Sequence, residues 1–528
     1  YDGMYFGFGQ LQEIRQAIGR AKNAGKTVYV HAEGMTTLTY ALLCAGDHLS
    51  VAPHSSLWLM GIYGEGLYVK SLLDKIGVDA DFMHMGDYKS AAEMLTRTGP
   101  SEEAEENINW VFDSYYDSLV NMIAESRGIT SEQVRRLIDE GPYMADAALD
   151  KGLIDAIETR EAFVRRVKEE IGGQVKVDNR YGREDAMQIN LANPLAFFSI
   201  LAELFKTPAV SQKDALAIVY VEGTILPGHS QPTLFGASGA AFSGDIRKAL
   251  ETAAKDKSVK AVVMRVDSPG GSAEASEVIL NATRQVKASK PFIVSMGDVA
   301  GSGGYYVSCA ADTIFADEVT ITASIGVVGG KLITRGLWDK LGVNWVPYKR
   351  GARADFFSSE RRFNDDEREL LERYMREVYE VFKGHVAEGR GDKLTRPLED
   401  MAGGRIYTGK QALDLGLVDE IGGLHEAVKY AAAKASLDDY DVRIIPEPKD
   451  FITEMIQRYS GEGDRPTDIS MADAATVLAG HPTLAPLFDV LRRTEPQRAR
   501  VLYQALQRIE LIRAETVITM MPFDLVFP

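Results

Sequence analysis

The chain repeats itself. Leu72-Leu-Asp-Lys-Ile-Gly-Val78 returns 265 residues later as Leu337-Trp-Asp-Lys-Leu-Gly-Val343, and at that offset Tyr40 falls on Tyr305, Cys44 on Cys309 and Gly86 on Gly351. Further on, Ala147-Ala-Leu-Asp-Lys-Gly-Leu-Ile-Asp155 returns as Gln411-Ala-Leu-Asp-Leu-Gly-Leu-Val-Asp419, at an offset of 264. Matched blocks this far apart mark a tandem duplication, so the fold must be one that can be built twice and joined. The chain divides into repeat 1 (1–174), a polar, irregular linker around one short helix (175–213), repeat 2 (214–435) and a C-terminal extension (436–528) in which helical patterns run over 484–518. Gly270 has its counterpart at the very start of the chain, so about 50 residues of repeat 1 are expected to precede Tyr1.

Repeat 2 opens with a strand signal from Leu216, a helix near 243–255 and the strand Ala261-Val-Val-Met-Arg-Val266. Alternating strands and helices predict an α/β fold of βαβ units with a largely parallel sheet. Acid-rich helices are expected at 101–127 and 364–389, since Pro-Ser-Glu-Glu and Asn-Asp-Asp-Glu suit a helix N-terminus.

With 59 basic against 76 acidic residues the net charge is −17, which argues against nucleic acid as a partner. Two cysteines imply no disulfide framework. No apolar run reaches the ~18 residues of a membrane-spanning helix; the stretch from Pro194 to Phe205 is too short and carries Glu203, so the chain as it stands reads as soluble. The histidines show no metal-ligand spacing, and no metal or cofactor is expected.

Two positions stand out between the repeats. Ser302 lies in Gly297-Asp-Val-Ala-Gly-Ser-Gly-Gly-Tyr-Tyr306, after the strand signal Phe292-Ile-Val294 and before a helix pattern. A serine on such a turn can act as a nucleophile beside free helix N–H groups, or simply cap the helix. Its counterpart in repeat 1 is Thr37. Conversely, Lys89 in Met85-Gly-Asp-Tyr-Lys-Ser-Ala91 has Ala354 as its counterpart in repeat 2. Each copy keeps one half of a Ser/Lys pair, which points to one site shared by both.

Val266-Asp-Ser-Pro-Gly-Gly-Ser272, Gly301-Ser-Gly-Gly-Tyr-Tyr306, Ile321-Thr-Ala-Ser-Ile-Gly-Val327 and Gly86-Asp-Tyr-Lys-Ser90 together resemble the signal peptide peptidase A (protease IV) family in its long, duplicated form. The resemblance covers about residues 1–435. Ala300-Gly301 stands where the family often has Ala-Ala. The resemblance implies a tandem Clp-protease/crotonase-like fold and a serine endopeptidase that degrades released remnant signal peptides. It gives Ser302 the role of nucleophile, Lys89 that of general base and Ser324 that of orienting the lysine, with the Gly271 and Gly303 N–H groups as the oxyanion hole. It also implies a tetramer-like homo-oligomer and a membrane anchor ahead of Tyr1. The expected setting is the bacterial inner membrane, with the catalytic part facing the periplasm or outside.

Three other readings remain at this point. A Ser-His-acid hydrolase would need His385 or His425, both expected at the surface. A crotonase-like acyl-thioester enzyme would use the fold without the Ser/Lys pair. A non-catalytic scaffold would use Ser302 only as a cap.

Overall fold

The computed structural model describes residues 7–172, 175–178, 181, 213–230, 239–447, 495, 498, 511, 515 and 517–521. Nearly all of the expected linker, and most of the C-terminal extension with its helical patterns, lie outside the described residues.

Repeat 2 is built on one sheet whose strands run, from edge to edge, Ile406–Thr408, Ile321–Ala323, Phe292–Gly301, Val259–Ser268, Ala215–Glu222 and Asp441–Ile444. All neighbours are parallel except Ile406–Thr408 against Ile321–Ala323. Two short strands, Thr313–Ala316 and Glu420–Ile421, branch from Phe292–Gly301. The central strands are almost wholly buried, as their unbroken apolar runs require of a sheet covered on both faces. Helices Ser243–Lys255 and Ala273–Lys287 connect them, the second capped by Ser272, whose Oγ accepts from the Ala275 N–H.

Repeat 1 reuses the plan on a smaller scale. Its elements His48–Val51, Ser56–Trp58 and Lys70–Ile76 match Thr313–Ala316, Ile321–Ala323 and Arg335–Leu341 at the offset read from the sequence. Buried polar contacts are duplicated as well. Tyr40 donates to Leu153 O at 2.7 Å and Tyr305 to Leu417 O at 2.8 Å. Arg127 binds Asp155 and Gly152 O, while Arg390 binds Asp419 and Gly416 O. Each of these aspartates also accepts a backbone N–H, from Leu49 and Ile314 respectively. Two chain segments that keep the same buried hydrogen bonds have kept the same fold, because an unpaired polar group inside either would cost about 1–3 kcal/mol.

The acid-rich helices run from Glu102 to Arg127 and from Asp365 to Arg390, capped by Ser101 and Asn364. The helix after Ser302 spans Gly303–Ser308. In the C-terminal extension, Val517–Met520 is a strand at the end of the span where helical patterns were expected.

The repeats meet along a seam. Strand Asp79–Met85 of repeat 1 pairs antiparallel with Val327–Ile333 of repeat 2, with Met85 opposite Val327. Helix Phe8–Asn23 lies on repeat 2, where the Gly9 N–H donates to Asp298, Gln16 to Asp317, and Arg20 pairs with Glu426. Asn107 exchanges two hydrogen bonds with the backbone of Ile406. Val319, Ile321 and Ile406 of repeat 2 belong to the apolar core of repeat 1.

The duplicated ion pairs differ in burial: the Arg390 side chain is 0% exposed, that of Arg127 11%. Arg390→Ala would remove the buried partner of Asp419 and leave it only the partly exposed Lys393, and is expected to cost about 3 kcal/mol. Arg127→Ala, with Asp155 reachable by water, should cost about 1 kcal/mol. Denaturant unfolding of the two variants measures the difference.

Candidate active site

Ser302 stands where the buried strand Phe292–Gly301 turns into helix Gly303–Ser308. Its φ of 54° and ψ of −109° lie in a region that L-residues rarely adopt. The turn is held by its own N–H, which donates to Ala323 O at 2.6 Å, and by Tyr306 N–H donating back to Ser302 O at 2.8 Å. Gly301, Gly303 and Gly304 keep side chains out of the turn. Ser302 itself makes no side-chain capping bond to the helix, so the cap reading leaves its hydroxyl unexplained.

That hydroxyl faces repeat 1. Lys89 Nζ lies 2.7 Å from Ser302 Oγ across the seam. Lys89 is delivered by the turn that follows strand Asp79–Met85, where its N–H donates to Gly86 O. The turn rests on Gly403 and Gly404 of repeat 2, and the Tyr88 N–H donates to Gly403 O. A Cβ on Gly404, whose φ is 83°, would stand 2.6 Å from Lys89 Cα, so this approach is open only to glycine.

Ser324 completes the cluster. Lys89 Nζ donates to Ser324 O and meets Ser324 Oγ, both at 3.0 Å, and Ser324 Oγ donates to Gly404 O at 3.3 Å. A neutral amine has two N–H donors and one lone pair. With both donors turned to Ser324, the lone pair is left for the Ser302 hydroxyl.

Lys89, Ser302 and Ser324 are all buried. No acid offsets the desolvation of the Lys89 ammonium, and burial holds its pKa well below the ordinary lysine value. Burial thus disfavours the charged form of this amine. Gly303 N–H opens the helix beside the serine, and Gly271 lies in strand Gly270–Ser272 alongside. Gly270, at φ 96°, must be glycine, because a Cβ there would stand 2.6 Å from Gly303 N.

The histidines stand elsewhere. His385 is half-buried rather than at the surface; its Nε2 meets Glu277 at 2.9 Å, its Nδ1 meets Arg284 at 3.0 Å, and Glu277 also accepts from the Tyr306 hydroxyl. Both ring nitrogens are thus engaged, and His425 is exposed. Thr37, the counterpart of Ser302, spends its hydroxyl on Trp58 O and the Met60 N–H. Lys349 pairs with Asp355, away from the serine. Cys44 and Cys309 are core residues whose thiols burial pushes up, Cys309 to about 12. Among the described residues no group of His, Cys, Asp and Glu could hold a metal ion, and no helix is long and apolar enough to cross a membrane.

The profile of Peptidase family S49 matches residues 20–174 and again residues 284–438. The chain belongs to peptidase family S49. The two matches begin 264 residues apart, in step with the internal repeat. The chain is 29% identical to the chloroplastic serine protease SPPA of Arabidopsis thaliana, over 97% of this chain and 72% of that one. It is 33% identical to Protease 4 of Haemophilus influenzae, over 80% of this chain and 67% of that one. The putative signal peptide peptidase SppA of Enterococcus faecium is 38% identical over 36% of this chain and 55% of its own. Among solved structures, a ClpP1 mutant from Listeria monocytogenes matches 40% of this chain and 94% of its own, with 15% identity and a TM-score of 0.26. The fold is the expected one, a duplicated S49 domain of mixed α/β type.

Two features of this S49 peptidase were not read from its sequence. One is strand Val517–Met520, which pairs with Gly270–Ser272 on one side and Val327–Ile333 on the other. The other is a set of buried acids at the seam. Asp267 and Asp317 are each pushed up to about 7, first by burial and then by the neighbouring charges of Asp298 and Glu13 respectively.

Lys89 is costly to bury, and the cost depends on pH. The unfolded chain carries the lysine protonated below ~10.4. The folded protein holds it neutral down to its depressed pKa, so unfolding takes up a proton between the two values and stability rises with pH there. Lys89→Met is expected to raise the Tm near neutral pH. The gain should shrink by about 1.4 kcal/mol per pH unit toward pH 10. Calorimetric scans of both proteins across this range check the sign and the slope.

Proposed function

We propose that this S49 serine peptidase is an endopeptidase of the Ser/Lys dyad type. The observation that carries the reading is the 2.7 Å contact of a fully buried Lys89 with Ser302. Ser302 Oγ attacks the carbonyl carbon of the substrate peptide bond as its proton passes to the neutral Lys89 Nζ. The oxyanion that forms is held by the N–H groups of Gly303 and Gly271. When the C–N bond breaks, the Lys89 ammonium returns the proton to the leaving amine, and the acyl group stays on Ser302 as an ester. Water then attacks the ester with Lys89 again taking the proton, which releases the acid and restores the hydroxyl. Ser324 is the positioning residue, because its two oxygens direct the lysine lone pair at Ser302.

The proposed substrates are extended apolar peptides, remnant signal peptides among them, bound by strand addition beside Gly270–Ser272. The name of the Enterococcus faecium relative and the apolar residues around this strand support that class. The proposed setting is the bacterial cell membrane, with the catalytic part facing outward.

Ser302→Ala and Lys89→Arg should each lower kcat for peptide hydrolysis by at least 10³-fold, while Thr37→Ala leaves it unchanged. Arginine keeps the charge but cannot give up its proton. Wild-type kcat/KM should rise with pH through an apparent pKa well below ~10.4. Peptide turnover by Lys89→Arg with an unaltered pH profile would exclude Lys89 as the base. Turnover of a CoA thioester spared in Ser302→Ala would favour the acyl-thioester reading.

The seam also supports assembly into a homo-oligomer. Residues 344–350 of repeat 2 correspond to strand Asp79–Met85, and residues 62–68 of repeat 1 correspond to strand Val327–Ile333. Neither counterpart is paired into a sheet, and both carry exposed apolar side chains: Trp345, Val346 and Tyr348 on one, Tyr63 on the other. The junction made once within the chain can therefore be made again, head to tail, between repeat 2 of one copy and repeat 1 of the next. Such a contact makes a ring when its rotation closes, and a tetramer-like ring is proposed. Light scattering should find the wild type assembled and Val346→Asp monomeric; a monomeric wild type at micromolar concentration would refute the ring.

A further inference from the structure

Lys89 is buried, but its turn is close to the surface: Tyr88 before it is only half-buried and Asp87 is exposed. What covers the turn on its outer side therefore decides how dry the amine stays.

Arg405 of repeat 2 lies at that place. Its guanidinium carbon stands 3.8 Å from the centroid of the Tyr88 ring and 5.7 Å from that of Trp110. The negative face of an aromatic ring attracts such a cation. Glu106, on the same helix as Trp110, ties the stack together. It accepts from Arg405 Nη2 at 3.3 Å and from the Tyr88 hydroxyl at 3.2 Å. The main chain of Arg405 reaches the other side of the amine, because its carbonyl accepts from the Ser324 N–H at 2.9 Å. Ala323 and Ser324 stand at φ values of 66° and 54°, which persist only where such bonds fix them. Gly403-Gly404-Arg405 thus engages Tyr88 by a hydrogen bond, Lys89 by close approach, and Ser324 and the Tyr88 ring through Arg405.

The scaffold itself does not need an arginine here. Tyr143 donates to Leu137 O as Tyr407 does to Met401 O, which fixes the register of the two copies at an offset of 264. At that offset the counterpart of Arg405 is Gly141. A Cβ on Gly141 would stand 2.1 Å from the carbonyl oxygen of Leu59, the counterpart of Ser324. The arginine is present only in the copy that meets the lysine turn.

We infer that Arg405 is a positioning residue for catalysis: stacked on Tyr88 and bonded to Ser324, it seals the lysine turn against water. The inference rests on the reading of Lys89 as the base. Desolvation is what lowers the Lys89 pKa. The groups that meet the amine are the Ser302 and Ser324 hydroxyls and the Ser324 carbonyl. The charges of the outer cover are Arg405 and Glu106, beside Tyr88, and the Tyr379 hydroxyl accepts from the Gly403 N–H behind it. Opening the cover lets water reach the ammonium and favours the charged form.

The test is the pH profile of kcat/KM from pH 6 to 10, with a quenched fluorogenic peptide of leucine and alanine and the full chain. In Arg405→Ala the apparent pKa of the rising limb should move up by about one, so that kcat/KM at pH 7 falls about tenfold and returns to the wild-type value at high pH. Tyr88→Ala should move the limb the same way. It keeps the arginine charge, so a matching rise there excludes a simple charge effect. The double variant should shift no further than either single one, because both remove the same stack. A residue that only supports the fold would scale the rate equally at every pH. A limb left in place in Arg405→Ala, or shifts that add in the double variant, would overturn the inference. Should Arg405→Ala fail to fold, Tyr88→Ala decides by the same reading. A failure of the dyad reading looks different, since Ser302→Ala would then cut the peptide as well as the wild type does.

Discussion

Everything at the site depends on keeping water away from one amine. The pKa of Lys89 is held well below the ordinary lysine value because its surroundings cannot solvate the ammonium, and the two repeats supply those surroundings together. Strand Asp79–Met85 carries the lysine turn against Val327–Ile333, and Gly403-Gly404 close over it. An acid near the amine would favour its charged form. The cluster offers only hydroxyls and a carbonyl, which orient the amine without protonating it.

The duplication explains how this dry seam arises. Two copies of one fold bring equivalent edges together, but the junction is not symmetric, since the strand after one copy's helix meets the strand before the other copy's helix. Only one serine and one lysine can then face each other within a chain. The complementary positions hold no such pair: Thr37 uses its hydroxyl within its own repeat, and Ala354 has no amine. The scaffold contacts that both copies need, the tyrosine-to-carbonyl and arginine-to-aspartate bonds, persist in both.

Glycine is what lets several strands converge at the serine. At Gly270 and Gly404 a single Cβ would collide with the backbone it faces, so the start of helix Gly303–Ser308 and the lysine turn can approach only bare main chain. The strained φ of Ser302 is tolerated because its N–H and C=O are both fixed by hydrogen bonds to buried backbone.

By itself the sequence determined the repeat and its offset, the parallel α/β plan, the turn that presents Ser302, and the pairing of Ser302 with Lys89. These follow from local pattern: apolar runs, glycine spacing, and which residue each copy kept. Ser324, Gly271 and Gly303 could be named only through likeness to a family, because a serine in a strand and two glycines in a turn have no local signature of their roles. The tertiary structure alone decided the depth of burial of Lys89, the engagement of His385 with Glu277 and Arg284, and the strand made by Val517–Met520. Burial depends on what the other repeat covers. A four-residue strand with partners some 190 and 250 residues away is fixed by the edges it joins; its own residues carry too short a pattern to announce it.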